Sequence, residues 1–260
     1  TAPEIVGAAL IVLETEPLGY TFNGGILELR ELIAQRAPGN HTADSVCVTV
    51  GANGGLLGSM LVSVDAGDEV LVPNPGFPTY EAITSLAGAH PVCYPMSADD
   101  SFRFSVDALE KLITKKTRAV VINSPSNPTG HIIPDSELKG LATLADAHDL
   151  MVISDEVYHE FYYGERCPSF LDVSGRGLVV NSLSKTEAMT GWRIGWTVGP
   201  PEFISAITAV NQHSVTCAPT LSQRVALRTL DASAEERAAG IRADFAQRRR
   251  LMLEMIDDQL

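Results

Sequence analysis

The stretch NSLSKTEAMTGWRIGW, residues 181–196, places one lysine between two serines and ahead of an arginine. Burial or a neighbouring cation lowers the pKa of a lysine and leaves neutral amine to attack a carbonyl, so Lys185 is a candidate for Schiff-base chemistry. Ser182, Ser184 and Arg193 offer hydroxyl and guanidinium donors, which bind anionic oxygens. A lone lysine in a loop rich in Ser and Thr is commonly a solvated surface residue, so the assignment depends on its surroundings.

A second signal for anion binding is VTVGANGGLL, residues 48–57, where a glycine-rich turn follows an apolar run. A helix that begins at such a turn presents free N–H groups to an anion, and Ala52 and Asn53 stand at that point. The GK[ST] sequence of a P-loop is missing, so a nucleotide is not the predicted ligand. Taken singly, each feature has a structural explanation. The glycine-rich turn can be a tight connection between a strand and a helix, and Arg193 can pair with a carboxylate on the surface.

A buried carboxylate is predicted at Asp155, which follows the apolar run LMVIS. An unpaired buried carboxylate is costly, and a protonated pyridine nitrogen would be a suitable partner. Tyr158 and Asn127 can donate hydrogen bonds to a phenolate oxygen. Phe77 or Tyr80 can lie against a flat ring. A lysine amine, a phosphate pocket, a partner for a pyridinium and donors to a phenolate together indicate pyridoxal 5′-phosphate as the cofactor.

Seven short runs rich in Val and Ile are predicted as strands. They cover residues 45–50, 68–74, 89–96, 118–124, 149–155, 177–184 and 193–199. Several are apolar at consecutive positions, as in strands covered on both faces, and amphipathic helical stretches separate them. The alternation predicts an α/β fold with a mainly parallel sheet between helices, followed by helices alone after residue 199. Ligands of such sheets bind beyond the carboxyl ends of the strands, where most of the candidate residues fall.

Composition restricts the classes of partner. The chain of 260 residues has a formal net charge of −13, which does not suit nucleic acid, because phosphate backbones are bound by basic faces. We find no apolar run long enough for a bilayer and no signal peptide. Four cysteines without CxxC or zinc-ligand spacing predict neither a metal site nor a disulfide framework, and a cytoplasmic location is expected. His131, His148 and His159 are expected in solvated or capping roles.

Three motifs carry a family resemblance. NSPSNPTG at 123–130, SDEVY at 154–158 and NSLSKTEAMTGWRIGW at 181–196 occur in this order. They resemble the class I/II aminotransferases of the aspartate aminotransferase superfamily, the fold type I pyridoxal phosphate enzymes. The resemblance covers nearly the whole chain and implies an enzyme that moves an amino group between an L-amino acid and a 2-oxo acid.

Two other functions stay open at this point. Relatives with the same signature catalyse elimination, cyclisation or racemisation after the same proton abstraction, so a carbon–sulfur β-lyase or a cyclising synthase is the first alternative. A regulatory module that binds pyridoxal phosphate is the second. It would need a basic helix-turn-helix, which this sequence does not contain.

The resemblance implies a role for each matched residue. Lys185 would form the Schiff base with the cofactor and move the substrate proton, and Asp155 would keep the ring nitrogen protonated. Asn127 and Tyr158 would bind the ring oxygen, and Phe77 would stack on the ring, where the family often has Trp or Tyr. The implied phosphate-binding residues are Ala52, Asn53, Ser182, Ser184 and Arg193.

The resemblance also implies a homodimer, because Tyr20 matches a tyrosine that reaches the phosphate of the neighbouring subunit. It assigns residues 1–235 to a cofactor-binding large domain and residues 236–260 to the start of a helix toward a missing small domain. The chain lacks an initial methionine and ends within a helical pattern, so we expect it to be part of a longer protein. No arginine here matches the motif of the family's substrate-carboxylate arginine, so the amino acid substrate stays open.

Overall fold

A computed structural model describes residues 1–231 and 233–257 and contains one seven-stranded sheet. The strands are β1 (Val46–Val50), β2 (Glu69–Asn74), β3 (His90–Pro95), β4 (Thr117–Asn123), β5 (Met151–Asp155), β6 (Gly177–Ser182) and β7 (Ile194–Val198). All seven predicted strands are present, and each observed boundary lies within two residues of the predicted one. The run predicted over 177–184 leaves the sheet at Ser182, because Leu183 begins a short helix.

The sheet is mainly parallel, as predicted. Its order is β1-β7-β6-β5-β4-β2-β3. Strands β6, β5, β4, β2 and β3 pair in parallel, whereas β7 is antiparallel to both β6 and β1. Strand β1 therefore runs in the same direction as β6, and β7 alone among the described strands is reversed. The start of β7 consequently lies at the same edge as the carboxyl ends of the other six strands.

Helices cover both faces of the sheet. They are α1 (Pro3–Thr15), α2 (Leu27–Arg36), α3 (Gly51–Ser63), α4 (Thr79–Leu86), α5 (Val106–Glu110), α6 (Asp135–His148), α7 (Leu183–Thr186), α8 (Pro201–Ser214), α9 (Thr220–Thr229) and α10 (Ala234–Asp257). After residue 199 the described chain contains helices and no strands, which confirms the prediction of helices alone in this part of the sequence.

Consecutive residues of a strand are buried on opposite faces of the sheet, because side chains alternate between the two faces. In β2, Leu71 packs in a large cluster with α2, α6 and α9, whereas Val70 and Val72 pack in a second cluster with α3 and α4. In β5, Val152 packs in the first of these clusters and Ile153 packs in the second. This packing accounts for the continuous apolar runs in the sequence.

Helix α10 is less covered than the sheet. Ala234 and Ala238 are buried near its start, whereas the residues from 247 to 256 are all exposed. None of the helices within the described ranges is long and apolar enough to cross a bilayer. The division of the chain at residue 235 stays a prediction.

Candidate active site

The strand ends bring the candidate residues to one edge of the sheet. Strand β1 ends at Val50 and leads into α3, β5 ends at Asp155, and β6 leads into α7, which carries Lys185. Arg193 precedes β7, and it reaches this edge because β7 is reversed. A parallel β7 would have placed Arg193 at the opposite edge.

These residues surround one cavity of about 300 Å³. Its lining residues are Ala52, Asn53, Phe77, Tyr80, Asn123, Asn127, Asp155, Val157, Tyr158, Ser182, Ser184, Lys185, Thr190 and Arg193. All of the predicted site residues except Tyr20 belong to this set. The sequence interpretation assigned no role to Asn123, Val157 or Thr190.

Asp155 is the acid among these lining residues, and 3% of its surface is exposed. Tyr80 donates a hydrogen bond from its hydroxyl to Asp155 Oδ2 at 2.8 Å, and the Val157 N–H donates to Oδ1 at 3.2 Å. Burial raises the pKa of Asp155 from 3.8 to about 6, although these two hydrogen bonds and the charge of Lys185 oppose the rise. The carboxylate is therefore oriented and desolvated, and a cation beside it would stabilise its ionised form.

Tyr80 has a different role from the one expected. The sequence offered Phe77 or Tyr80 as a face for a flat ring, but the Tyr80 ring is buried and meets Phe77 edge-on, with centroids 5.8 Å apart and planes at 81°. Burial and the adjacent Asp155 raise the pKa of Tyr80 well above its usual value, so its hydroxyl keeps the proton that it donates. Phe77, which is only partly buried, is the ring that borders the cavity.

Asn123 is a site residue that sequence reasoning did not single out. Its Nδ2 donates to the Asp155 carbonyl at 2.9 Å, and its Oδ1 accepts from the Asn127 N–H at 2.7 Å. Asn123 thus joins the end of β5 to the turn that carries Asn127. The available signal was its position as the first residue of NSPSNPTG, at the end of β4.

Lys185 is exposed rather than buried, which corrects one premise of the sequence argument. Its Nζ lies 5.6 Å from the centroid of the Tyr158 ring. Since Lys185 also contributes to the electrostatic environment of Asp155, an amine, a phenol and a buried carboxylate share one cavity. Such a set can bind a polar aromatic molecule with an acidic hydroxyl and a basic ring nitrogen.

Two glycines shape the candidate anion-binding part of the cavity, which lies between the start of α3 and Arg193. A Cβ on Gly51 would lie 2.5 Å from Arg193 Nη2, and Gly51 has φ +66°. A Cβ on Gly195 would lie 2.6 Å from the Gly51 carbonyl carbon and 2.8 Å from the Ala52 nitrogen. Only glycine therefore permits the guanidinium and β7 to approach the start of α3. The free N–H groups of the first α3 turn and the Arg193 guanidinium are therefore placed so that both can attract the same anion.

The two serines lie beside this anion-binding part. Ser182 caps α7, and its Oγ accepts a hydrogen bond from the Ser184 N–H at 3.3 Å. Arg193 Nη1 donates to the Thr190 carbonyl at 3.0 Å, which fixes the guanidinium from the opposite side.

Tyr20 is the one predicted site residue outside the cavity. It is 89% exposed and lies between α1 and α2, next to Val50 and Cys217. A role for Tyr20 within its own subunit's cavity is therefore not supported.

His159 contradicts the expectation of a solvated or capping histidine. It is 6% exposed, its Nδ1 has no hydrogen-bond partner in the described chain, and burial lowers its pKa to about 4. The buried Glu156 carboxyl lies 3.6 Å away. Both residues face a second cavity of about 350 Å³ beneath α7. Sequence periodicity gave no signal for this burial, because both residues lie in the turn after β5.

The family model described as "Aminotransferase class I and II" matches residues 3–259. The chain is 36% identical to aromatic-amino-acid aminotransferase 2 of Thermococcus litoralis, over 92% of this chain and 64% of that protein. It is 38% identical to valine–pyruvate aminotransferase of Mycobacterium tuberculosis, over 97% and 67%. The solved aromatic aminotransferase from Pyrococcus horikoshii superposes with a TM-score of 0.94 at 36% identity, over 99% of this chain and 72% of that one. The chain thus spans about two thirds of the length of these relatives.

Proposed function

Because the chain belongs to the family of class I and II aminotransferases, we propose that it is the cofactor-binding part of an enzyme that transfers an amino group. The enzyme moves that group between an L-amino acid and a 2-oxo acid, and enzymes of this family depend on pyridoxal 5′-phosphate. The observation that carries the proposal is that the buried Asp155 and the exposed Lys185 and Arg193 line one cavity.

The residues of this cavity fit the cofactor. Asp155 is a buried carboxylate that accepts hydrogen bonds from two uncharged donors, the Tyr80 hydroxyl and the Val157 N–H, which leaves its charge to suit a protonated pyridine nitrogen. The start of α3 and Arg193 suit a phosphate group. Asn127 and Tyr158 supply donors for a ring oxygen, and Phe77 supplies an apolar face.

When bound, pyridoxal phosphate supplies an aldehyde that condenses with amines and a ring that withdraws electrons from the substrate α-carbon. In our proposal the Lys185 amine would take the proton from that α-carbon and deliver it to the carbon of the cofactor's former aldehyde group, because an exposed amine on the cavity wall can reach a bound substrate. Asp155 would stay ionised beside the ring nitrogen of the bound cofactor, since a nearby cation reverses the effect of burial on the pKa of the carboxyl. Tyr158 and Asn127 would orient the ring by donating hydrogen bonds to its oxygen.

Labelling of Lys185 tests the proposal directly. Borohydride reduction of the cofactor-loaded protein, followed by peptide mass mapping, should place the label on the peptide that contains Lys185. Lys185→Ala should lose both the label and transamination, whereas Lys139→Ala, a change in an exposed ion pair with Asp135, should lose neither. Normal turnover of Lys185→Ala would contradict the assignment.

Product analysis separates transamination from the alternatives. With an amino acid donor and a 2-oxo acid acceptor, transamination produces a new amino acid and a new oxo acid in equal amounts. Release of ammonia would favour a β-lyase, and a cyclic amine would favour a cyclising synthase. Aromatic amino acids and valine are the first donors to test, because they appear in the names of the relatives above.

We also propose a homodimer in which Tyr20 reaches the phosphate of the neighbouring cavity. Its support is the exposure of Tyr20 at 89%, together with exposed Leu18 and Phe22 nearby. If sites are shared, mixing Lys185→Ala with Tyr20→Phe protein should restore one intact site per mixed dimer. Recovery of tight cofactor binding in the mixture would support sharing, and no recovery would refute it.

A cytoplasmic location is proposed as well, and four free thiols support it.

A further inference from the structure

Helix α10 contacts both segments that carry the proposed catalytic groups. At its start, Arg237 Nε lies 2.9 Å from Glu187 Oε2. Glu187 is 5% exposed and directly follows α7, which carries Lys185. Arg237 also donates to the Thr229 carbonyl, so its guanidinium is held between α9 and α7.

Further along α10, two residues contact the turn after β5. Arg242 Nη1 lies 3.1 Å from Glu160 Oε2, and its guanidinium lies 4.9 Å from the centroid of the Tyr162 ring. Phe245 meets Phe161 edge-to-face, with centroids 5.2 Å apart and planes at 85°.

Phe161 connects this contact to the cavity. Its ring meets the Tyr158 ring edge-on, with centroids 6.2 Å apart and planes at 69°. Its N–H donates to the Tyr158 carbonyl at 2.8 Å, and the His159 N–H donates to the Glu156 carbonyl at 2.9 Å. An unbroken series of contacts therefore runs from Phe245 through Phe161 to Tyr158, whose ring lies 5.6 Å from Lys185 Nζ.

We propose that α10 holds Tyr158 in register with Lys185, with Phe245 and Arg242 as positioning residues for the Tyr158 turn and Arg237 as the positioning residue for α7. The inference rests on the proposed function only in assigning Tyr158 to the cofactor. The exposure of residues 247–256 shows that the second half of α10 is not held by the sheet. Movement of α10 would thus be transmitted to the cavity through these three side chains.

Hydrogen exchange in the turn after β5 tests the inference without cofactor. Hydrogen exchange should be several-fold faster over residues 156–163 in Phe245→Leu than in the wild-type protein, because the edge-to-face contact with Phe161 is lost. Met252→Leu is the matched control, since Met252 lies on the same helix and is 65% exposed. Arg242→Gln provides a second variant that removes the contact with Glu160 if Phe245→Leu does not fold. Unchanged exchange in both variants would overturn the inference.

Cofactor affinity provides the second measurement. Loss of one edge-to-face aromatic contact should raise the Kd for pyridoxal 5′-phosphate by about 3- to 10-fold in Phe245→Leu. In a Tyr158→Phe background the same change should raise the Kd less than about 2-fold, because its effect acts through the Tyr158 hydroxyl. If Phe245→Leu raised the Kd by the same factor in the wild-type and Tyr158→Phe proteins, the inference would be overturned. If the wild-type protein bound no cofactor, the proposed function would fail, and the exchange measurement would still decide the role of α10.

Discussion

The Asp155→Asn substitution isolates the charge that we place beside the ring nitrogen. An asparagine in the same position can accept from the Val157 N–H and donate to the Tyr80 hydroxyl oxygen, so both present hydrogen-bond partners are retained. The substitution therefore removes the ionisation of residue 155 while it changes the packing little.

The magnitude follows from the pKa of Asp155, which burial raises from 3.8 to about 6 in the protein without cofactor. A raised pKa of an acid means that the folded state retains the proton longer than the unfolded state. The stability from this group is therefore complete below pH 3.8 and is lost as the pH rises through about 6. The full loss is about 3 kcal/mol, at 1.36 kcal/mol for each unit of pKa.

Urea unfolding of the cofactor-free protein measures this effect. The free energy of unfolding of Asp155→Asn minus that of the wild-type protein should increase by about 2 kcal/mol as the pH rises from about 4.5 to about 8. The increase is smaller than about 3 kcal/mol because the wild-type protein has already lost part of that stability at the lower pH. Asp149→Asn is the control. Asp149 has φ +52°, which Asn tolerates, and it forms only an exposed ion pair with Arg176. Parallel pH profiles for wild-type protein and Asp155→Asn would refute the reasoning.

The sign reverses when cofactor is bound. An ionised Asp155 beside a protonated ring nitrogen is stabilised, so the substitution that stabilises the empty protein should weaken cofactor binding and reduce turnover at least about 100-fold. The thermal shift on adding pyridoxal phosphate should consequently be smaller for Asp155→Asn than for wild type. An equal shift would mean that another group faces the ring nitrogen.

Three further substitutions test the geometry of the cavity. Gly195→Ala should disrupt the anion-binding part, because its Cβ would lie 2.6 Å from the Gly51 carbonyl carbon; phosphate should then no longer compete with pyridoxal phosphate for the site. Tyr80→Phe should raise the pKa of Asp155 further, because a hydrogen bond to its ionised form is lost, and the pH-dependent loss of stability should shift to higher pH. Arg193→Gln should raise the Kd for pyridoxal phosphate at least 10-fold and that for pyridoxal much less, and equal factors for the two ligands would contradict a phosphate contact.

The Tyr80 contact shows what sequence patterns missed within the site. The run LMVIS predicted a buried carboxylate, and Asp155 is buried. The partner of that carboxylate lies 75 residues away in the chain, and residue type alone left the Tyr80 ring as a candidate for stacking. Only the packing of α4 against the sheet decides that its hydroxyl reaches Asp155.

The candidate chemical groups of this protein can be identified largely from local sequence. Apolar runs, turn residues and the spacing of Lys185, Asp155 and Arg193 are properties of short segments, so they indicate strands, strand ends and a set of functional groups without a structure. The mainly parallel α/β sheet followed for the same reason, since apolar strands alternate with amphipathic helices.

Tertiary structure decided the relations between distant segments. The reversal of β7 brings Arg193 to the same edge as Lys185, the turn after β5 buries His159, and Tyr20 lies outside the cavity of its own chain. Each depends on which surfaces meet after the chain folds, and burial and pKa arise from all neighbours of a group rather than from its place in the sequence. For this reason the sequence indicated which groups are candidates for the chemistry, and the fold determined their distances, their burial and the side chains that contact them.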